Sequence, residues 1–291
     1  MLTPARHLVE QRHMLRSLGN VAVDSVIERI LPAERASVSL PGPEVVMQVP
    51  PPSRTLIEDF LGHVGSDPAA DPESVPPHLF PQWGLSVALR ALRGCGFPLL
   101  QMLNGGCRLQ SNAPLRRDRG LTVRARLQSV SESARRTVLC QRIVTEQADA
   151  PEALVADVYG IVRRAARPPA GEKHVESLPE AAHKIDDWTL GRDAGLTFAL
   201  LTGDINPLHW LPPYARAMGF RSTILHGFAA MARTYAGLER RLGPRRLRLL
   251  DVRFRRPIVL PAQLSLYVDG DQVLLATADE AACLTGRFAW A

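Results

Sequence analysis

His226–Leu242 reads H-G-F-A-A-M-A-R-T-Y-A-G-L-E-R-R-L. Apolar and small residues recur there at helical spacing and basic residues gather at the end, so the stretch is a long helix. Four alternating runs follow, at Leu249–Phe254, Gln263–Val268, Val273–Ala278 and Cys283–Trp290, each a strand by its period of two. The same order occurs upstream. Gln82–Gly106 carries apolar residues at helical spacing, bent or interrupted by Gly94, Gly96 and Pro98, and strand-like runs follow at Leu121–Val130, Thr137–Thr145 and Leu154–Val162. One helix followed by several antiparallel strands, occurring twice, predicts an α+β fold of two similar units.

Between the units, Ala166–His183 collects Pro168, Pro169, Gly171 and Pro179 among small and charged residues, as a linker does. The expected division is a first unit over 1–166, a linker over 167–184 and a second unit over 185–291. The chain length of 291 residues, about twice the ~150-residue norm for one domain, agrees with two units. Apolar residues at 46% and charged residues at 22% exclude a disordered or collagen-like chain. No apolar run reaches the ~18 residues that cross a bilayer. The first twenty residues lack a secretory h-region, so the expected location is the cytoplasm. Cys95, Cys107, Cys140 and Cys283 are scattered, which indicates reduced thiols and neither a metal knuckle nor a disulfide framework.

The net charge of +6 suits an acidic partner. No nucleic-acid-binding motif is present and aromatics are only 5%, which leaves a phosphate-bearing small molecule or an acidic carrier protein. Compositional drift explains the charge equally well, since every basic residue except Lys173 and Lys184 is arginine.

The stretch that carries chemistry is Phe198–His209, F-A-L-L-T-G-D-I-N-P-L-H, which begins in a short helix expected over Asp193–Leu201 and runs out of it into a loop. Asp204 and His209 are five residues apart and would lie on different faces of a continuous helix. Pro207 prevents that helix, because it forces Asn206 out of the helical region and opens a loop in which both side chains can converge. Asn206 is expected to hold the turn through its side-chain amide. Downstream, His226-Gly227 opens the long helix, whose first N–H groups and dipole make an anion-stabilising end.

With G-D-x-N-P-x-H in place, H-G following, and L-L-D-V-R-F-R-R-P-I at Leu249–Ile258, the second unit resembles the MaoC-type, or hydratase 2, family of (R)-specific enoyl-thioester hydratases. His78–Leu89 and Phe97–Gly106 resemble, more loosely, the noncatalytic first domain of double hot-dog dehydratases. The resemblance implies a double hot-dog fold, each unit a curved antiparallel sheet around a long helix. It implies reversible hydration of a trans-2-enoyl thioester of coenzyme A or acyl carrier protein, with no metal or redox cofactor, no nucleic acid and no membrane, and it is compatible with a homodimer.

Such a reaction needs a base for water, an acid for C2 and stabilisation of negative charge on the thioester oxygen. Asp204 and His209 would supply the first two through one shared water, and by resemblance the Gly227 N–H takes the oxygen. Asn206, Pro207 and His226 are supporting residues, and Thr234 and Tyr235 stand where the family often has a small hydroxyl residue. Among the clustered arginines, Arg253, Arg255 and Arg256 are candidates for the phosphates of coenzyme A or for an acidic carrier. Asp71 and His78 are read as part of a solvent loop with no catalytic role. The alternatives are a hot-dog acyl thioesterase and a noncatalytic acyl-thioester binding module.

Overall fold

The computed structural model describes residues 3–12, 14, 16, 39–99, 102–163, 178–243 and 246–291. In chain order the strands are β1 (Val45–Val49), β2 (Ser74–Val75), β3 (Leu103–Ser111), β4 (Leu115–Arg116), β5 (Leu121–Glu132), β6 (Arg136–Gln147), β7 (Ala150–Arg163), β8 (His183–Leu190), β9 (Leu247–Phe254), β10 (Ala262–Asp269), β11 (Gln272–Thr277) and β12 (Ala282–Trp290). The α-helices are α1 (Arg54–Val64), α2 (Pro81–Ala91), α3 (Ala194–Thr202), α4 (Pro212–Ala217) and α5 (Gly227–Leu242).

Ten strands form one antiparallel sheet in the order β1-β5-β6-β7-β3-β9-β12-β11-β10-β8, while β2 and β4 pair separately. Each half of the chain contributes five neighbouring strands, and the halves meet where β3 pairs with β9. The first half-sheet packs on α2 through β1, β5 and β6, and the second packs on α5 through β8 and β9. Trp83 Nε1 donates to Thr145 Oγ1 at 2.9 Å and Gln141 Nε2 donates to the Ala88 carbonyl at 2.8 Å, which fixes α2 against β6. α5 is buried almost all round from Phe228 to Leu238, as befits a helix enclosed by a sheet on one side and α1 on another.

The outer face of the sheet carries a row of opposite charges across the seam. Register aligns Arg142 with Asp157, Asp157 with Arg108, Arg108 with Asp251 and Asp251 with Arg287. Arg142 closes a two-pronged pair on Asp157 at 2.8 and 3.0 Å. Beside that row, Arg253 stacks its guanidinium 4.1 Å from the Tyr159 ring centre.

Five elements depart from the sequence reading. The helix expected over Gln82–Gly106 stops at Ala91, because Gly94 and Gly96 adopt positive φ before Pro98, and β3 begins at Leu103. β3, N-G-G-C-R-L-Q in its interior, has no clean alternation, since it is paired on both sides at the centre of the sheet. α1, capped by Ser53 Oγ accepting from the Leu56 N–H at 3.2 Å, and β1 were not anticipated. β8 starts at His183, inside the expected linker, while 164–177 lie outside the described residues. The first residues also leave the first unit: Gln11 Nε2 donates to the Leu201 carbonyl at 2.8 Å, so the N-terminal segment packs on α3.

His78 is a further correction. Asp71 is exposed, as a solvent loop requires, but His78 is only 2% exposed. The short 3-10 turn Pro77–Leu79 carries it against α5, where it stacks on Tyr235 at 4.5 Å between ring centres and lies 5.3 Å from Phe60. A proline-rich stretch suggested solvent, whereas the packing of the two halves encloses it.

Candidate active site

α3 ends at Gly203, whose N–H donates to the Ala199 carbonyl at 2.8 Å. The chain then runs to Asn206, where ψ of 121° is the extended value that a following proline demands. Asn206 Oδ1 accepts from the Leu208 N–H at 3.1 Å, and Pro207–His209 form a single 3-10 turn. The reversal brings Asp204 and His209 together with His226, so that one oxygen or ring nitrogen from each lies within 4.8 Å of the others. By proximity alone this is a set that could hold a divalent cation.

Hydrogen bonds fix both rings. His209 Nδ1 lies 2.9 Å from the Ile224 carbonyl, which can only accept, so Nδ1 carries the proton and a neutral ring presents an unprotonated Nε2. His226 Nε2 likewise donates to the Asp204 carbonyl at 2.9 Å, so this residue positions the backbone of the acid. The two rings stack with centres 3.6 Å apart. Burial raises the Asp204 carboxyl above the usual carboxylate range, opposed by His209, and burial lowers His209, opposed by Asp204. His226 is driven well down by burial and by the neighbouring His209, so it stays neutral. Burial thus draws the proton affinities of Asp204 and His209 toward each other, beside a third, uncharged ring.

Two glycines let the backbone close around this pair. A Cβ at Gly195 would lie 2.0 Å from the His209 carbonyl oxygen, and one at Gly227 would lie 2.5 Å from the Phe254 ring. Gly227 is the first residue of α5, so its N–H has no acceptor within the helix and stands at the positive end of the helix dipole. Phe198, 5.1 Å from His226 between ring centres, backs the site from α3.

Thr234 and Tyr235 are both fully enclosed and satisfied, donating to the Ala230 carbonyl at 2.9 Å and the Leu247 carbonyl at 3.2 Å. Tyr235 thereby ties α5 to β9, and the Thr234 bond stays within α5. Arg253 lies on the sheet face opposite Phe254 and hence away from Gly227; it pairs with Asp251. Arg255 Nε donates to Thr285 Oγ1 at 2.8 Å, and Arg256 lies 3.5 Å from Asp279. Arg253, Arg255 and Arg287 line a groove of about 350 Å³ on that outer face. Sequence reasoning missed Gly195, Phe198 and the Ile224 carbonyl. Gly195 and Phe198 look like ordinary helix residues, and a backbone carbonyl leaves no mark in a sequence.

Residues 175–272 match the family described as the MaoC like domain. That stretch is similar to a MaoC-like domain. Over 106 residues the chain is 36% identical to 3-hydroxyacyl-thioester dehydratase X of Mycobacterium tuberculosis, which covers 36% of this chain and 35% of that protein. The match thus spans about a third of the curated relative. The crystal structure of HtdX of M. tuberculosis superposes with a TM-score of 0.69 at 20% identity, over 84% of this chain and 99% of that one. Another M. tuberculosis protein, described as having a double hot-dog fold, superposes with a TM-score of 0.56 at 14% identity, over 87% of this chain and 96% of that one. At these identities the likeness carries the fold alone, a double hot-dog. No helix among the described residues is long and apolar enough to cross a membrane.

Proposed function

We propose that this chain hydrates trans-2-enoyl thioesters reversibly to (R)-3-hydroxyacyl thioesters, the acyl group being carried on coenzyme A or acyl carrier protein. The observation that carries this reading is the convergence of Asp204 and His209 beside the N-terminus of α5. In the hydration direction, His209 Nε2 takes a proton from water as its oxygen bonds to C3, and the carboxyl of Asp204 delivers a proton to C2. The Gly227 N–H stabilises the negative charge that develops on the thioester oxygen. Dehydration runs the same steps backwards, with the Asp204 carboxylate taking the C2 proton and the imidazolium protonating the leaving hydroxyl.

The second half performs the chemistry, with Asn206, Pro207 and His226 shaping its loop, and the first half shapes the acyl site. The groove bearing Arg253 and Arg255, with Arg256 beside it, suits the phosphates of coenzyme A or an acidic carrier rather than the reacting thioester.

Crotonyl-coenzyme A tests the assignment. Loss of the enoyl-thioester absorbance without release of free thiol is the expected result. Thiol release would indicate a thioesterase, and binding with neither change would indicate a noncatalytic module. Because one acid–base pair works from one side of the enoyl plane, addition should be syn and the product a single enantiomer. Chiral analysis should give the (R) form, the hand that the family resemblance implies, and a racemic product would sink the one-pair mechanism.

Gly195→Ala should separate positioning from folding. The added methyl must push the Pro207–His209 turn, so kcat should fall about tenfold or more while stability changes by ~1–3 kcal/mol, as overpacking does. Unchanged kcat in the folded variant would show that the turn tolerates displacement.

A further inference from the structure

Five of the eight buried side-chain polar atoms without a hydrogen-bond partner among the described residues belong to four residues: His63, His78, His226 and Arg233. Buried polar atoms are normally paired, so such a concentration marks a place where something else belongs. Within it Arg233 is the outlier. It is 8% exposed, its Nε has no partner, and no carboxylate among the described residues forms an ion pair with it. The acidic group on its helix, Glu239, and the one paired with the end of that helix, Asp186, are spent. Asp186 accepts from Arg240 and Arg241, and Glu239 accepts from the Leu247 N–H at 3.2 Å. Its charged neighbour Arg240 disfavours its charge, and Arg233 in turn disfavours a charge on His63. Burial draws its pKa down to about 10, which still leaves it cationic at neutral pH. A buried cation with no counter-ion is costly unless an anion arrives from outside the protein.

Its place relates it to the catalytic pair. Arg233 is six residues beyond Gly227 on α5, about 9 Å along the axis, and on the same helix face as His226. A line of rings joins the two ends. His209 stacks on His226, Phe198 lies 5.1 Å from His226 and 6.4 Å from His63, and His63, in the last turn of α1, is the group coupled to Arg233. The line is interior, which separates it from the surface arginines and from any phosphate that must stay in water.

Resting on the hydratase reading above, we propose that Arg233 binds a carboxylate at the far end of the acyl chain, so that the preferred substrates are enoyl thioesters whose acyl group ends in a carboxyl rather than a methyl. The His63 ring, whose Nε2 is buried and unpartnered, stands beside the guanidinium as a second polar contact for that group. A methyl-ended chain would leave the cation buried and unpaired.

The test compares kcat/KM for two enoyl-coenzyme A thioesters of the same medium chain length, one ending in a carboxylate and one in a methyl, with crotonyl-coenzyme A as a short reference. Wild type should favour the carboxylate by about ten- to a hundredfold, the worth of a charge-assisted contact. Arg233→Met should abolish or reverse that preference with crotonyl hydration retained, and Arg233→Lys should keep part of it. Equal use of both chains by wild type, or an unchanged ratio in Arg233→Met, would overturn the proposal. A second measurement stands apart from catalysis: a free medium-chain dicarboxylate should raise the melting temperature of wild type and not of Arg233→Met. If crotonyl-coenzyme A is not hydrated yet that shift is seen, the anion site stands and the hydratase reading falls. If crotonyl-coenzyme A is hydrated and the shift is missing, the reverse holds.

Discussion

Asp204→Asn and His209→Ala are each expected to lower kcat for hydration of crotonyl-coenzyme A by roughly 10²–10⁴-fold, the usual loss when a general acid or base is removed. Asp204→Asn keeps the shape of the side chain but can neither donate nor accept the proton in transit. The carboxylate is costly to bury, and its pKa is raised for that reason, so the amide should leave the melting temperature unchanged or slightly higher. His209→Ala removes the Nδ1 donor to Ile224 and leaves that carbonyl dependent on water, which should cost about 1 kcal/mol. The double variant should be little worse than either single one, because the two groups act as a unit. Near-wild-type turnover in correctly folded Asp204→Asn would remove the carboxyl from the mechanism altogether.

Lowering the pH from neutrality to about 5 is expected to cost the fold several kcal/mol. His63 and His78 are both held neutral by burial, with pKa values of about 3 against 6.5 for a free imidazole, and Arg233 adds to the effect at His63. Above 6.5 the rings are neutral in the folded and unfolded chain alike and contribute nothing. Below 6.5 the unfolded chain binds protons that the folded chain refuses, so stability falls with falling pH, and it goes on falling until about 3. Each ring contributes ~1.4 kcal/mol per pH unit in that window, so near pH 5 the two together remove about 4 kcal/mol. His226, lowered for the same reason, acts in the same direction. Native domains are stable by only about 5–15 kcal/mol, so the loss should be plain in urea unfolding. His78→Leu removes two unpaired nitrogens while keeping an apolar contact between Phe60 and Tyr235, so it should flatten the pH dependence. Equal unfolding midpoints near pH 7 and pH 5 would mean that water or a ligand reaches these rings.

Much of the architecture was legible in the sequence. Period-two runs placed β5, β6, β7, β9, β10, β11 and β12, most plainly β5 and β10, whose burial alternates because one face packs inward and the other is more open. The turn at Asn206–His209 was legible too, since it forms through neighbours in the chain: a proline restricts the residue before it, and an Asx side chain closes a turn two residues on. These are local rules, and local rules can be read from a string of residues.

What only the tertiary structure decided involves partners far apart in the chain. β3 is a strand because β7 and β9 satisfy its backbone from both sides, although its own residues promise little. Gly195 matters because the turn at His209 closes on it. His78 and Arg233 look like surface residues in the sequence, and they are buried because α1, α5 and the Pro77–Leu79 turn pack together. A titratable side chain does not encode its own burial; the desolvation that sets its charge comes from the atoms that fold around it.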